Sequence, residues 1–339
     1  MNNKLNPIIF GLGNCGCNSL ETVKNRYNDI YTVGVNIDED NLNKISADSK
    51  ILIEVDKDNS TKISFDSLTD FSDKNAAIVV LGLSGNTSYV AVEKLLNYIK
   101  TLNLVTYVFA VKPFDFEGEI KRNQSFKNLE QIKNLSDCIF LISNDKLLYG
   151  EGDKLISQAF KKLNYLICDF IYVLENLSDT NSESSMIIED ILKKSQQVGL
   201  SYFSLNKITL NDFIDRGAYI CTDSTFLDYS LRKATLIMLN IKSKNELKLN
   251  HITGFIEKLK HIAGDEVEIH FSYSVAEDLE NEVQVSIFGT NYNLDLISSN
   301  YEELSRVSLN KNHHYEEKDE GVITEDDIIP NFLKKLKGE

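Results

Sequence analysis

Ile8-Ile9-Phe10-Gly11-Leu12-Gly13-Asn14-Cys15-Gly16-Cys17-Asn18-Ser19 is the stretch that decides the fold: an apolar strand, a glycine-rich turn, then Asn18-Ser19 placed to cap a helix. In that helix Leu20 and Val23 share a face. Glycines let the backbone take positive φ and approach a ligand closely. Free N–H groups and the dipole at the start of the next helix attract phosphate. Taken alone, G-x-G-x-x-G fits a nucleotide-binding turn and a plain strand-to-helix turn equally well, so the rest of the chain has to decide.

Outward from that turn, short apolar runs at 8–10, 31–35, 51–55, 77–81, 105–111 and 138–142 read as strands buried on both faces. Helical segments at 90–102 and 126–135 separate several of them. The alternation predicts an α/β fold with a doubly wound, mostly parallel sheet. Such sheets bind ligands at the carboxyl ends of strands, where both the opening turn and Gly82-Leu83-Ser84-Gly85-Asn86-Thr87-Ser88 fall.

From Asp153 the apolar residues repeat every three or four positions through Leu177, which predicts one long central helix of about 25 residues and nearly 40 Å. Beyond a polar break at 178–185, helices are expected at 188–198 and 249–263 and a strand at 234–241. Val267, Ile269, Phe271 and Tyr273, then Val283, Val285 and Ile287, alternate with polar neighbours and predict an antiparallel pair with one wet face, hence a second, smaller α+β domain. The resulting division is 1–152, 153–178, 179–297, a charged linker at 298–325 and a tail at 326–339. In the tail, Ile328, Ile329, Phe332, Leu333 and Leu336 share a helical face, with Pro330 in the first turn and lysines at the end. Tethered behind a polar linker, it reads as a motif that docks into a partner's groove.

The 339 residues favour two domains, and 42% apolar residues fill real cores. A net charge of −15 argues against a nucleic-acid partner. No apolar run reaches membrane-spanning length, so a soluble cytoplasmic chain without membrane insertion is expected. The five cysteines read as reduced thiols, Cys15 and Cys17 as small packing residues. No Cys or His spacing predicts a metal site.

Three further stretches carry a resemblance: Val111-Lys112-Pro113-Phe114-Asp115-Phe116-Glu117-Gly118, Ser143-Asn144-Asp145-Lys146-Leu147-Leu148 and Asp327-Ile328-Ile329-Pro330-Asn331-Phe332-Leu333. With the opening turn, Val35-Asn36-Ile37-Asp38 and Ser157-Gln158-Ala159-Phe160, the chain resembles FtsZ, the bacterial division GTPase of the tubulin superfamily. The resemblance implies a nucleotide-binding domain at 1–152, a central helix, an activation domain at 179–297 and a tail that binds membrane-anchoring partners of the FtsA or ZipA type. It implies head-to-tail protofilaments at the division site, GTP or GDP with Mg2+, and hydrolysis completed by an acidic loop of the next subunit.

In that scheme the phosphates lie on Gly11, Gly13, Asn14, Cys15, Gly16 and Asn18, and on Ser84, Gly85, Asn86, Thr87 and Ser88, with Asn36 a further nucleotide-binding residue. Glu117 and Lys121 lie near ribose and phosphates, and Asn144, Phe160 and Asn164 near the guanine. Departures are equally specific. Where FtsZ carries G-G-G-T-G-T-G, this chain has Ser84-Gly85-Asn86-Thr87-Ser88-Tyr89-Val90, with Tyr89 and Val90 expected to add bulk beside the pocket. The glycine-rich loop after the third strand is missing from 55–75. The Asp that pairs with guanine aligns with Tyr165, beside Asn164. Of two catalytic carboxylate positions one is Ile187, and Asp190 keeps the other.

Three readings follow. The first is a filament-forming FtsZ with altered GTP binding and weak or lost hydrolysis. The second is a non-hydrolysing paralogue that regulates an active FtsZ. The third is an NAD(P)-dependent oxidoreductase, for which Gly11, Gly13, Gly16 and Asp38 fit the fingerprint, although no hydride-transfer constellation accompanies them.

Overall fold

A computed structural model describes residues 4–55, 61–68, 71–147, 155–179, 181–196, 199–224, 226–227, 229–232, 234–280 and 282–290. The linker and tail expected at 298–339, and the first residues of the expected central helix, lie outside them.

Strands β1 (Pro7–Leu12), β2 (Tyr31–Asn36) and β3 (Ser49–Leu52) are parallel neighbours. Strands β4 (Glu54–Val55) and β5 (Thr61–Lys62) form a separate two-stranded antiparallel sheet. Strands β6 (Ala76–Gly82), β7 (Val105–Lys112), β8 (Cys138–Ser143) and β9 (Gly199–Leu200) complete a parallel seven-stranded sheet in the order β3-β2-β1-β6-β7-β8-β9. Strands β1 and β8 are buried at every residue because helices cover both sheet faces, which is why they read as unbroken apolar runs. After β1 the chain turns one way, to β2, and it later returns to the other side of β1 as β6. The crevice beyond the carboxyl ends of β1 and β6 is therefore the switch point of the sheet.

Helix α1 (Gly13–Arg26) follows β1, α2 (Glu39–Lys44) follows β2, α3 (Asn86–Thr101) follows β6 and α4 (Glu119–Ile132) follows β7. Helix α1 begins at Gly13, five residues before the expected cap. Asn18 and Ser19 sit inside it, and Ser19 Oγ donates back to the Gly16 carbonyl at 2.6 Å. The central helix α5 (Ile156–Leu177) has 22 residues and spans about 33 Å. Helices α6 (Ile188–Ser195), α7 (Leu210–Thr222) and α8 (Leu249–Ala263) follow it.

The second sheet contains β10 (Tyr202–Ile208), β11 (Leu236–Ser243), β12 (Glu268–Val275) and β13 (Val283–Thr290), in the order β10-β13-β11-β12. Strands β12 and β13 are not the antiparallel pair that the alternation predicts. Strand β12 pairs parallel with β11, and β13 lies between β10 and β11, antiparallel to both. Nor does β13 have a wet face: all eight residues are buried. Its polar side chains meet polar groups on α5, with Asn176 Nδ2 donating to Ser286 Oγ at 3.0 Å and Gln284 Nε2 to the Tyr172 hydroxyl at 3.4 Å.

Met1–Ser298 group as one compact unit. Both sheets share its core through aromatic rings. Phe170 on α5 lies 5.0 Å from Tyr107 on β7, 4.8 Å from Phe140 on β8, 5.4 Å from Phe203 on β10 and 5.6 Å from Phe288 on β13. Such pairs each add about 0.5–1.5 kcal/mol beyond the area they bury. The central helix is thus the shared wall of both sheets.

Candidate functional site

A cavity of about 660 Å³ opens at the switch point. Two helix starts form one end of it. Helix α1 follows Leu12 and α3 follows Gly85, neither with a side-chain cap hydrogen bond nor with an acidic residue in its first turn. The positive dipole ends therefore face the cavity without an acidic residue in their own first turns. Gly13, Asn14, Cys15 and Asn18 line the α1 side, and Ser84, Gly85, Asn86, Thr87 and Ser88 the α3 side.

Gly13 has φ +68°, the left-handed region, and a Cβ there would sit 3.2 Å from Thr87 Cβ, so the two first turns are in contact. Gly11 and Gly16, expected among the phosphate contacts, do not line the cavity. They stand behind the wall, where a Cβ on Gly16 would lie 2.1 Å from the Val80 carbonyl oxygen and one on Gly11 would lie 2.5 Å from that of Gly16. Their role is to let α1 lie close against β1 and β6. Cys17 packs there too, its thiol donating to the Gly11 carbonyl at 3.3 Å, and burial pushes that thiol up to about 11. All five cysteines are unpaired.

The loop before α3 is tied from below by Asn128, buried on α4, whose Nδ2 donates to the Leu83 carbonyl at 2.6 Å. From the side, the end of β2 supplies Asn36, which is 1% exposed and hydrogen-bonded to Asn14 and Thr87. Tyr89 and Val90 do not crowd the cavity as expected. They lie past the first turn of α3 and outside the lining, with Tyr89 50% exposed. In the stretch where a glycine-rich loop is missing, Thr61 Oγ1 donates to the Val90 carbonyl at 3.4 Å and Phe65 stacks on Tyr98 at 4.2 Å, so this part of the chain packs along α3.

The other end is built by α5 and β8. Phe160 and Asn164, one helical turn apart, face the cavity together with Leu163 and Ile167. Tyr165, aligned with the base-pairing carboxylate, does not line it and is 47% exposed. At about 100° of rotation per residue the helix turns Tyr165 away and presents Asn164. Asn164 Nδ2 donates to the Asn18 carbonyl at 3.4 Å. Asn144, just beyond β8, has a buried Oδ1 without a partner among the described residues, a vacant acceptor beside the cavity. Glu117 and Lys121 line the third side as an ion pair, and Glu117 Oε1 also accepts from the Phe114 N–H at 2.8 Å.

Asp38 is the ribose-binding acid of the dinucleotide fingerprint. It lines the cavity but caps α2, its Oδ1 accepting from the Asn41 N–H at 3.1 Å and its Oδ2 from Asn41 Nδ2 at 2.7 Å. Asn41 itself was not anticipated, although an Asp followed three residues later by Asn at a helix start was a legible capping signal. Asp190 does not belong to the cavity. It is exposed in the first turn of α6, and Ile187, just before that helix, is 46% exposed. Ile328, Ile329, Pro330, Phe332, Leu333 and Leu336 lie outside the described residues.

A nucleoside phosphate fits these residues: uncapped helix starts for phosphates, a ring and amides for a base, and an unpaired acceptor for a base donor. Among the described residues no three Asp, Glu, His or Cys side chains cluster to hold a metal.

No protein-family model matches the chain. It is 21% identical over 213 residues to the cell division protein FtsZ of Mycoplasmopsis pulmonis, a match spanning 63% of this chain and 55% of that protein. With FtsZ of Haloferax mediterranei it shares 20% over 302 residues, spanning 84% and 80%. Among solved structures, CetZ2 from Haloferax volcanii, a GTPγS-bound protofilament, superposes with a TM-score of 0.65 at 14% identity, over 91% of this chain and 99% of that one. At that identity the likeness carries the fold.

Proposed function

We propose that this chain, a divergent member of the FtsZ/tubulin superfamily, is a cytoskeletal cell-division protein of the cytoplasm. It binds a guanine nucleotide in the switch-point cavity and assembles head to tail, with weak or no hydrolysis. The observation that carries this is the pair of uncapped helix starts, α1 and α3, facing one cavity whose far end offers Phe160, Asn164 and the unpaired Asn144 acceptor. The N–H groups of the first turns hold the phosphates, and Lys121 brings a positive charge to the cavity lining. Phe160 stacks the base and the amides read its edge. Mg2+ would ride on the phosphates.

Hydrolysis needs a group to polarise water. Asp190 is exposed and outside the cavity lining, so in this reading it serves a nucleotide on a neighbouring subunit. Ile187 leaves that loop without a second carboxylate, which is the ground for expecting slow turnover. The segment 326–339 is the partner-binding tail in this reading, for a membrane-anchoring protein of the FtsA or ZipA type. Residues 1–152, 153–178 and 179–297 act as nucleotide-binding part, central helix and activation part.

The test is the nucleotide content of gently purified protein, read beside pelleting and phosphate release. Expected are bound GDP or GTP, nucleotide-dependent pelleting and little phosphate release. Protein free of guanine nucleotide that pellets under no condition overturns the proposal. The exposed Ile187 favours a second reading, a non-hydrolysing paralogue, which is distinguished by pelleting only together with an active FtsZ.

A further inference from the structure

We infer that Asn36 is a positioning residue: one buried amide holds the first turns of α1 and α3 at the spacing where both reach the same phosphates. The inference rests on the guanine-nucleotide reading above. Asn36 ends β2 and is 1% exposed. Its Oδ1 accepts from Thr87 Oγ1 at 3.0 Å, from the Ile37 N–H at 2.9 Å and from the Asp38 N–H at 3.3 Å. Its Nδ2 donates to Asn14 Oδ1 at 2.7 Å. That acceptor is fully engaged by the protein, so Asn36 Oδ1 acts on a ligand only through the groups it holds, the Thr87 hydroxyl and the Ile37 and Asp38 N–H groups. Thr87 belongs to the first turn of α3 and Asn14 to the first turn of α1.

The chain of bonds continues on the far side. Asn14 Oδ1 also accepts from Asn41 Nδ2 at 3.0 Å, and Asn41 is tied twice to Asp38 at the cap of α2. Three loops that start helices at the carboxyl end of the sheet are thereby joined. Asparagine suits the position because the site needs an acceptor and a donor on one planar group. Aspartate would set an oxygen against Asn14 Oδ1 and bury a charge beside the phosphates. Leucine would leave Thr87 and two backbone N–H groups without their acceptor.

The test is calorimetric titration of the full chain with guanosine, GDP and GTP. Asn36→Ala is expected to weaken GDP and GTP about tenfold and Thr87→Val about fivefold, while guanosine binding stays within about twofold. The double variant should lose no more than Asn36→Ala alone, because both substitutions break the same bond. Unchanged GDP and GTP affinity, equal weakening of all three ligands, or additive losses would each overturn the inference while leaving the nucleotide reading standing. Wild-type protein that binds none of the three overturns that reading itself. Should Asn36→Ala fail to fold, Asn41→Ala, outside the cavity lining, carries the test: a two- to threefold loss confined to GDP and GTP is expected, and wild-type affinity overturns the inference.

Discussion

The two ends of the cavity are built on opposite terms. At the end formed by α1 and α3, backbone and side chains are held by the protein itself: Asn36 bridges the two first turns, Asn128 ties the loop before α3, and Gly11 and Gly16 leave no room between α1 and the sheet. At the other end Asn144 keeps a buried acceptor without a partner among the described residues, and Asn164 reaches the Asn18 carbonyl only at 3.4 Å. The first end is organised before any ligand arrives, so binding there costs little further ordering. The second is completed by whatever donor the ligand brings, so selectivity between bases belongs to it.

The contrast breaks most sharply at Gly16. A Cβ there lies 2.1 Å from the Val80 carbonyl oxygen, backbone that cannot swing aside. Gly16→Ala should destabilise the protein by about 3 kcal/mol in chemical denaturation. A loss under about 1 kcal/mol would mean that α1 can shift away from the sheet. Gly13→Ala comes next: φ of +68° and the contact with Thr87 predict a loss of about 1–2 kcal/mol together with weaker nucleotide binding.

At the other end the sign reverses. Asn144→Leu removes an unpaired acceptor, so the unliganded protein should melt at the same or a higher temperature while nucleotide affinity falls about tenfold. A drop in melting temperature would show that the acceptor is already satisfied.

The smallest effect is expected away from both ends, at Asp179, paired with Lys242 at 2.6 Å. Burial alone would raise its pKa, but hydrogen bonds from Lys242 and Asn181, with the Lys242 charge, hold it below the ordinary 3.8. A depressed folded-state value gives stability that is present above the ordinary value and lost as pH falls through the depressed one. Asp179→Asn should therefore cost under about 1 kcal/mol at neutral pH and flatten the acid limb of the melting curve below about pH 4, without touching nucleotide affinity.

What could be read from the chain follows from how far each feature depends on distant partners. The parallel strands were legible because burial on both faces leaves unbroken apolar runs, and 249–263 was legible as a helix from its own periodicity. Helix α4 begins at Glu119, earlier than the expected 126, because its first turns carry Lys121, Arg122, Asn123 and Gln124, which give no apolar period. The capping of α1 by Asn18-Ser19 was misplaced since Gly13 at positive φ lets the helix start straight from β1. The order of the second sheet could not be read locally. Gln284, Ser286 and Thr290 look like a solvent face, and only the polar groups of α5 and neighbouring strands explain their burial. Both β10 and α7 went unanticipated, although Thr209 followed by Asp212 is a cap signal that the structure uses at 3.1 Å. Within the site, both turns were legible from glycine and small polar residues, whereas the choice between Asn164 and Tyr165 rested on helical phase.

The placement of β13 has a consequence for the order in which the protein takes shape during synthesis. Strands β1 to β8 and the two phosphate turns are complete once residue 143 has been made, each strand beside a partner separated from it by a single crossover or by the β2–β5 excursion. The second sheet has no such schedule: β10 and β11 do not touch except through β13, whose residues 283–290 are made some 75 positions after β10 ends at Ile208. A ribosome-bound chain ending before residue 283 should therefore carry a formed first sheet while the part of α5 that meets β13, with Asn176, still awaits its cover. Pairing across that sequence distance is the slow kind.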